Sequence, residues 1–168
     1  MLRAAGIVAL IVLTACGQNT PTAVASPSPV IAQGGWTQNL TFTGEVSGLM
    51  TGIVANTVSQ TNECSGIKAR NGQEWSDTFY GTVDATGNVW EVNFYIASFR
   101  GPGTYAAADA SVVVKSADQS MVWQSRDAAK VTFTMDRTQQ AGTVDAALTN
   151  ATTDKPGLQV SGGWNCRG

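Results

Sequence analysis

Alternation of apolar and polar residues with a period of two restricts this chain more than any other property, because it places every second side chain of an extended strand on one buried face. The stretch Asn88-Val-Trp-Glu-Val-Asn-Phe-Tyr-Ile96 sets Trp90, Val92, Phe94 and Ile96 on one side and Glu91, Asn93 and Tyr95 on the other. The pattern recurs at Leu40/Phe42/Val46, Phe79/Val83, Val112/Val114, Val131/Phe133/Met135, Val144/Ala146/Leu148 and Leu158/Val160/Trp164/Cys166. No segment carries a convincing apolar stripe at helical spacing. Turn residues punctuate the runs at Asp84-Ala-Thr-Gly-Asn88, Gly101-Pro-Gly103, Ser116-Ala-Asp-Gln-Ser120, Arg126-Asp-Ala-Ala129 and Thr153-Asp-Lys-Pro-Gly157. Pro102 suits the second position of a type II turn and Gly103 the third, which needs positive φ. Such short connections make hairpins. The expected fold is all-β, a single antiparallel β-sandwich or flattened barrel of about 8–10 strands. The least strand-like interval runs from Gly48 to Trp75, broken by Gly52, Asn56 and Gly66.

The first residues obey a different logic. Arg3, an apolar run from Ala4 to Leu13 and then small residues have the layout of an export signal. A helix over residues 1–15 reaches only about 22 Å, short of the ~30 Å hydrocarbon core, so this segment is expected to be removed rather than to span. Leu13-Thr14-Ala15-Cys16 resembles the bacterial lipobox, which implies acyl chains on Cys16 as the new N-terminus. At ~0.8 kcal/mol per buried methylene, two or three chains anchor a protein firmly where one does not. Gly17, rather than Asp, follows the cysteine; in a double-membrane bacterium this resembles an outer-membrane-sorted lipoprotein. Residues 16–35 hold Pro21, Pro27 and Pro29 among Ser and Thr without a charge, and read as a tether. In an extended polyproline-like state it reaches up to about 60 Å. The all-β domain then occupies residues 36–168, a length for one core.

The whole chain has 10 basic and 12 acidic residues; without Arg3 the net charge is −3. No basic run exists, so nucleic acid is not an expected partner. With Cys16 assigned to lipid, Cys64 and Cys166 remain as an even pair in an exported domain, where a disulfide is expected. It would close a loop of 101 intervening residues, worth up to ~4.7 kcal/mol by chain entropy.

Gly101-Pro-Gly-Thr-Tyr105, Trp123, Gly142-Thr-Val-Asp-Ala-Ala-Leu148 and Ser161-Gly-Gly-Trp-Asn-Cys166 resemble the pattern of small bacterial lipoproteins that include the mycobacterial 19 kDa lipoprotein antigen group. The resemblance covers most of residues 37–166, although the Trp-rich strands here depart from the antigen's Gly/Ala/Thr-rich ones. It implies a surface-exposed acylated antigen or adhesin-like protein, not an established enzyme.

The chain has no histidine, which removes Ser-His-Asp and Cys-His catalysis and histidine-ligated metal sites. Carboxylate chemistry is left, and a glycoside hydrolase needs two acids at a set separation. Asp84 and Asp145 each sit in Gly-Thr-Val-Asp-Ala, yet two similar outward strand positions explain the repeat. Asp109, Asp118, Asp127, Asp136, Asp145 and Asp154 fall every nine residues. They lack the glycine context of a calcium-binding β-roll, and hairpin spacing of 8–12 residues accounts for the rhythm. Gly34-Gly-Trp36 is similar to the Gly-x-Trp that opens lipocalins, which would imply a hydrophobic ligand in a barrel cup. Asn39-Leu-Thr41 and Asn150-Ala-Thr152 match the glycosylation sequon, which is uninformative behind a bacterial lipidation signal.

Trp75, Tyr80, Tyr95 and Tyr105 are candidates for an exposed aromatic platform on which a sugar stacks, with Asn93, Gln73 and Asp77 supplying hydrogen bonds; cross-strand pairs and loop anchors are the alternative. The sequence thus points to a lipid-anchored cell-surface protein of the bacterial envelope with a non-catalytic binding or structural role. Its expected partners are the membrane, through its acyl chains, and an envelope glycan or surface protein. No metal or cofactor is called for. A lipocalin-like carrier and a carboxylate-dependent glycoside hydrolase are the competing readings.

Overall fold

Strand β5, Val89–Ile96, buries Trp90, Val92, Phe94 and Ile96 and turns Tyr95 to solvent, as its alternation requires. The computed structural model describes residues 37–51, 73–83, 87–126 and 130–165, together with the path of the strand at 63–68. The other strands are β1 (Thr37–Gly44), β2 (Gly48–Met50), β3 (Glu63–Lys68), β4 (Trp75–Thr82), β6 (Gly103–Ala106), β7 (Ala110–Ser116), β8 (Val122–Gln124), β9 (Val131–Met135), β10 (Ala141–Asn150) and β11 (Pro156–Asn165). Among the described residues there are eleven strands and no helix.

All pairings are antiparallel, and the sheet runs β2-β1-β11-β10-β8-β7-β5-β4-β3. Strand β10 is long enough to pair twice, with β9 through residues 142–146 and with β8 through Thr149 and Asn150. β8 and β9 are thus two segments of one course, whose outer neighbours are β7 and β6 respectively. A bridge from Met50 to Val83 joins β2 to the chain just beyond β4. The result is an antiparallel sheet nearly closed into a barrel, which removes most of the unpaired edge that an open sheet leaves.

Register assigns each turn to one of two poles. Thr37 pairs with Asn165, Ile96 with Ala110 and Gly142 with Met135 at one end, called here the entry pole. Gly44 pairs with Leu158, Thr82 with Val89 and Trp90 with Ser116 at the opposite, far pole. The turns at 45–47, 117–121 and 151–155 therefore share the far pole.

Aromatic rings fill the space between opposing strands. Phe79 and Phe94 contact Trp164 with centroids 5.6 and 5.4 Å away, and Phe133 lies 5.1 Å from Trp164 and 5.3 Å from Phe94. These rings come from β4, β5, β9 and β11, so the contacts cross the barrel interior. Trp75 joins through Phe133 at 5.5 Å. Gly142 makes room for this cluster: a Cβ there would lie 2.3 Å from Cη2 of Trp164 and 2.4 Å from the Thr134 carbonyl oxygen. Gly103 has the expected positive φ, 147°.

The residues of the anchor and tether, including Cys16, lie outside the described part. The expected Cys64–Cys166 bridge is not supported: among the described residues no disulfide is present, and Cys166 and the side chain of Cys64 fall outside them.

Candidate functional site

The aromatic platform read from the sequence divides between surface and core. Tyr95 is 38% exposed, and its hydroxyl hydrogen-bonds Glu74; that bond, with smaller contributions from desolvation and the like charge, raises the tyrosine pKa. Tyr80 and Asn93 are half-buried on the outer face of β4 and β5. Trp75 and Tyr105 belong to the core instead, at 0% and 2% exposure. Trp75 lies four residues before Phe79 on the same strand and shares its inward parity. Tyr105 buries its ring beneath the 99–101 turn, where its hydroxyl accepts from the Arg100 N–H at 3.0 Å and donates to the Gly101 carbonyl. Asp77, expected beside the platform, is buried on the inward face of β4.

The outer polar groups also satisfy one another. The Thr78 hydroxyl donates to Asn93 Oδ1 at 2.9 Å, Asn93 Nδ2 donates to Glu91 Oε1 at 2.6 Å, and Lys115 Nζ reaches the same oxygen at 3.1 Å. Asn93 therefore has a cross-strand partner and a same-strand partner already engaged. Tyr95 and Asn93 lie on one strand face, but the proposed residues do not form one platform.

One hollow of about 330 Å3, lined by Gln73, Ala97, Ser98, Phe99 and Arg100, lies at the entry pole, and two that adjoin lie at the far pole. A hollow of about 300 Å3 is lined by Glu45, Val46, Ser47, Val83, Asn88, Trp90 and Met121. A second, of about 270 Å3, is lined by residues 88–90 and 116–118 with Ser120 and Met121. They share Asn88, Trp90 and Met121, and together form a two-lobed groove. Met121 is 38% exposed while Trp90 is 5% exposed, so the shared saddle is an exposed thioether beside a tryptophan that is largely core. Behind it, Trp90 and Trp123 pack with centroids 5.5 Å apart.

A carboxylate stands in each lobe, and neither belongs to a salt bridge among the described residues. Glu45 Oε2 accepts the Trp123 indole N–H at 2.9 Å and the Asn150 amide at 2.7 Å. Gly157 admits this arrangement, since a Cβ there would lie 2.7 Å from Glu45 Oε1. Asp118 Oδ1 accepts from Ser116 Oγ, Ser120 N and Ser120 Oγ at 2.6, 3.1 and 2.8 Å. These donors, the Ser116 hydroxyl foremost, hold its pKa down at about 2. Sequence reading did not foresee the groove, because Glu45, Asn88, Trp90 and Met121 meet only when three separate connections converge at one barrel end.

The nine-residue rhythm of aspartates resolves largely into turns. Asp118 and Asp136 organise the β7–β8 and β9–β10 hairpins, and Asp109 and Asp154 pair with Arg100 and Arg126 at 3.0 and 2.7 Å. Asp145 is exposed on β10 and accepts from Gln159, while Asp84 lies outside the described residues. Among the described residues no three His, Cys, Asp or Glu side chains gather where they could hold a metal ion. No family model matches the chain, and comparison with curated proteins and with solved structures finds no match.

Proposed function

We propose that this chain is a lipid-anchored protein of the bacterial envelope, acylated at Cys16, whose barrel is a non-catalytic binding module with the far-pole groove as its recognition surface. One observation carries the reading: Thr37, where the tether sequence enters the barrel, lies at the pole opposite Trp90 and Met121. A ligand can approach the groove without displacing the anchor. The lipobox Leu13-Thr14-Ala15-Cys16 and the uncharged Pro/Ser/Thr segment after it support the attachment. The resemblance read from the sequence to small bacterial lipoproteins would imply the same placement. An envelope glycan or a surface protein is the class of partner proposed. A carrier role draws less support, because a carrier needs an apolar cup and the Phe79, Phe94, Phe133 and Trp164 rings occupy the middle of the barrel.

Palmitate labelling with membrane fractionation tests the anchor. Wild-type protein is expected to incorporate label and sediment with membranes, and Cys16→Ala to do neither. Equal labelling of the two proteins contradicts the proposal.

A further inference from the structure

The two carboxylates of the groove are held in the same way. Each is gripped through one oxygen by neutral donors, Trp123 and Asn150 on Glu45 and Ser116 and Ser120 on Asp118, and neither second oxygen receives a hydrogen bond from a described residue. No Lys or Arg lines either lobe among the described residues. Elsewhere on the barrel Asp109, Glu91 and Asp154 have basic partners, while Asp136 and Asp145, like the groove acids, are met by neutral donors alone among the described residues. Between the two negative charges lies the apolar saddle of Met121 and Trp90, flanked by Val46 and Val83. A cation attached to an apolar stem complements both features: the head meets an open carboxylate oxygen and the stem covers the saddle. Lysine and arginine side chains have this build. The lobes adjoin across the saddle, which suits an extended occupant that passes from one to the other.

We propose that the far-pole groove docks an extended, lysine- or arginine-bearing segment of a partner protein. This rests on the groove being the recognition surface of the barrel.

Titration of the full chain, labelled with 13C at the methionine methyls and held in detergent micelles, tests the idea. The chain has four methionines; Met121 reports the groove, while buried Met50 and Met135 report the fold. The probes are a short blocked peptide with one lysine between two leucines, its Nε-acetyl-lysine counterpart, spermidine, and a linear N-acetylglucosamine tetramer. The expected result is saturable movement of the Met121 methyl with the lysine peptide and binding about tenfold weaker after acetylation. Glu45→Gln and Asp118→Asn each keep an acceptor for the gripping donors, and each should weaken lysine-peptide binding several-fold with Met50 and Met135 unmoved. Equal binding of the acetylated peptide overturns the cation requirement. Spermidine binding as tightly as the peptide overturns the protein segment in favour of a small polyamine. Movement with the sugar alone overturns the inference and leaves the groove as a recognition surface. A Met121 methyl that moves with no probe overturns both.

Discussion

The indole N–H of Trp123 donates to Glu45 Oε2 at 2.9 Å, joining β8 to the β1–β2 turn across 78 positions of sequence. The same carboxylate oxygen takes the Asn150 amide, so one side chain ties together three of the segments that build the far pole. Truncation of Glu45 leaves a fully buried tryptophan with its donor unanswered. Glu45→Ala is expected to cost roughly 1–3 kcal/mol in denaturant unfolding, and Glu45→Gln much less. Equal losses for the two would show that the charge, not the acceptor, holds the turn.

The two faces of β5 should respond differently to truncation. Phe94 touches Phe79, Phe133 and Trp164, and Phe94→Ala should cost about 3–5 kcal/mol by opening a cavity. Tyr95, on the solvent side of the same strand, should change stability by only about 0.5 kcal/mol when replaced by Ala. Parallel thermal melts check this, and a Tyr95 variant as damaged as the Phe94 variant would invert the facing of the strand.

Gly142 is expected to resist even the smallest side chain. An added Cβ meets both the Trp164 ring and the backbone oxygen of Thr134 inside 2.5 Å, and the backbone has little room to retreat between two paired strands. Gly142→Ala should destabilise by about 1–3 kcal/mol, with altered near-ultraviolet dichroism from the displaced indole. An unchanged unfolding midpoint would mean that Trp164 has a second accommodating position.

Much of the barrel was legible because its alternation is local. Leu40, Phe42, Phe79, Val112, Val114, Phe133, Met135, Val144, Leu148, Leu158, Val160 and Trp164 are all buried as their parity requires. Trp75 could have been found by the same rule, counting back four from Phe79; the Asn71-Gly-Gln-Glu74 segment before it reads as loop and the polar Asp77 between them obscures the pattern. Tyr105 was harder, since a four-residue strand after Gly101-Pro-Gly103 offers too little alternation to fix a facing. The groove was not legible at all. Glu45, Asn88 and Met121 are neighbours only through barrel closure, and no local spacing records which turns share a pole.

Acid should weaken two hairpins. Asp118 has its carboxyl pKa lowered from 3.8 to about 2 by the Ser116 and Ser120 donors. At Asp136 burial by itself would raise the value, but the Thr138 hydroxyl and the Gln140, Ala141 and Thr138 backbone N–H groups outweigh it and lower it. A depressed carboxylate adds stability above its unfolded pKa, and this is lost as pH falls through the folded value. For Asp118 the window runs from about pH 4 down to about pH 2. Melting temperatures should decline across it, and Asp118→Asn should flatten part of that decline. Identical pH profiles for variant and wild type would contradict the assignment.

The central claim, that an anchored barrel engages its partner through the far pole, is tested most directly by amide hydrogen exchange on the protein in native envelopes and after extraction. Residues 88–90 and 116–121 should exchange more slowly in the envelope and lose that protection on extraction, while residues 97–102 and 136–140 at the entry pole stay the same. Protection confined to the entry pole, or none at the groove, would contradict it.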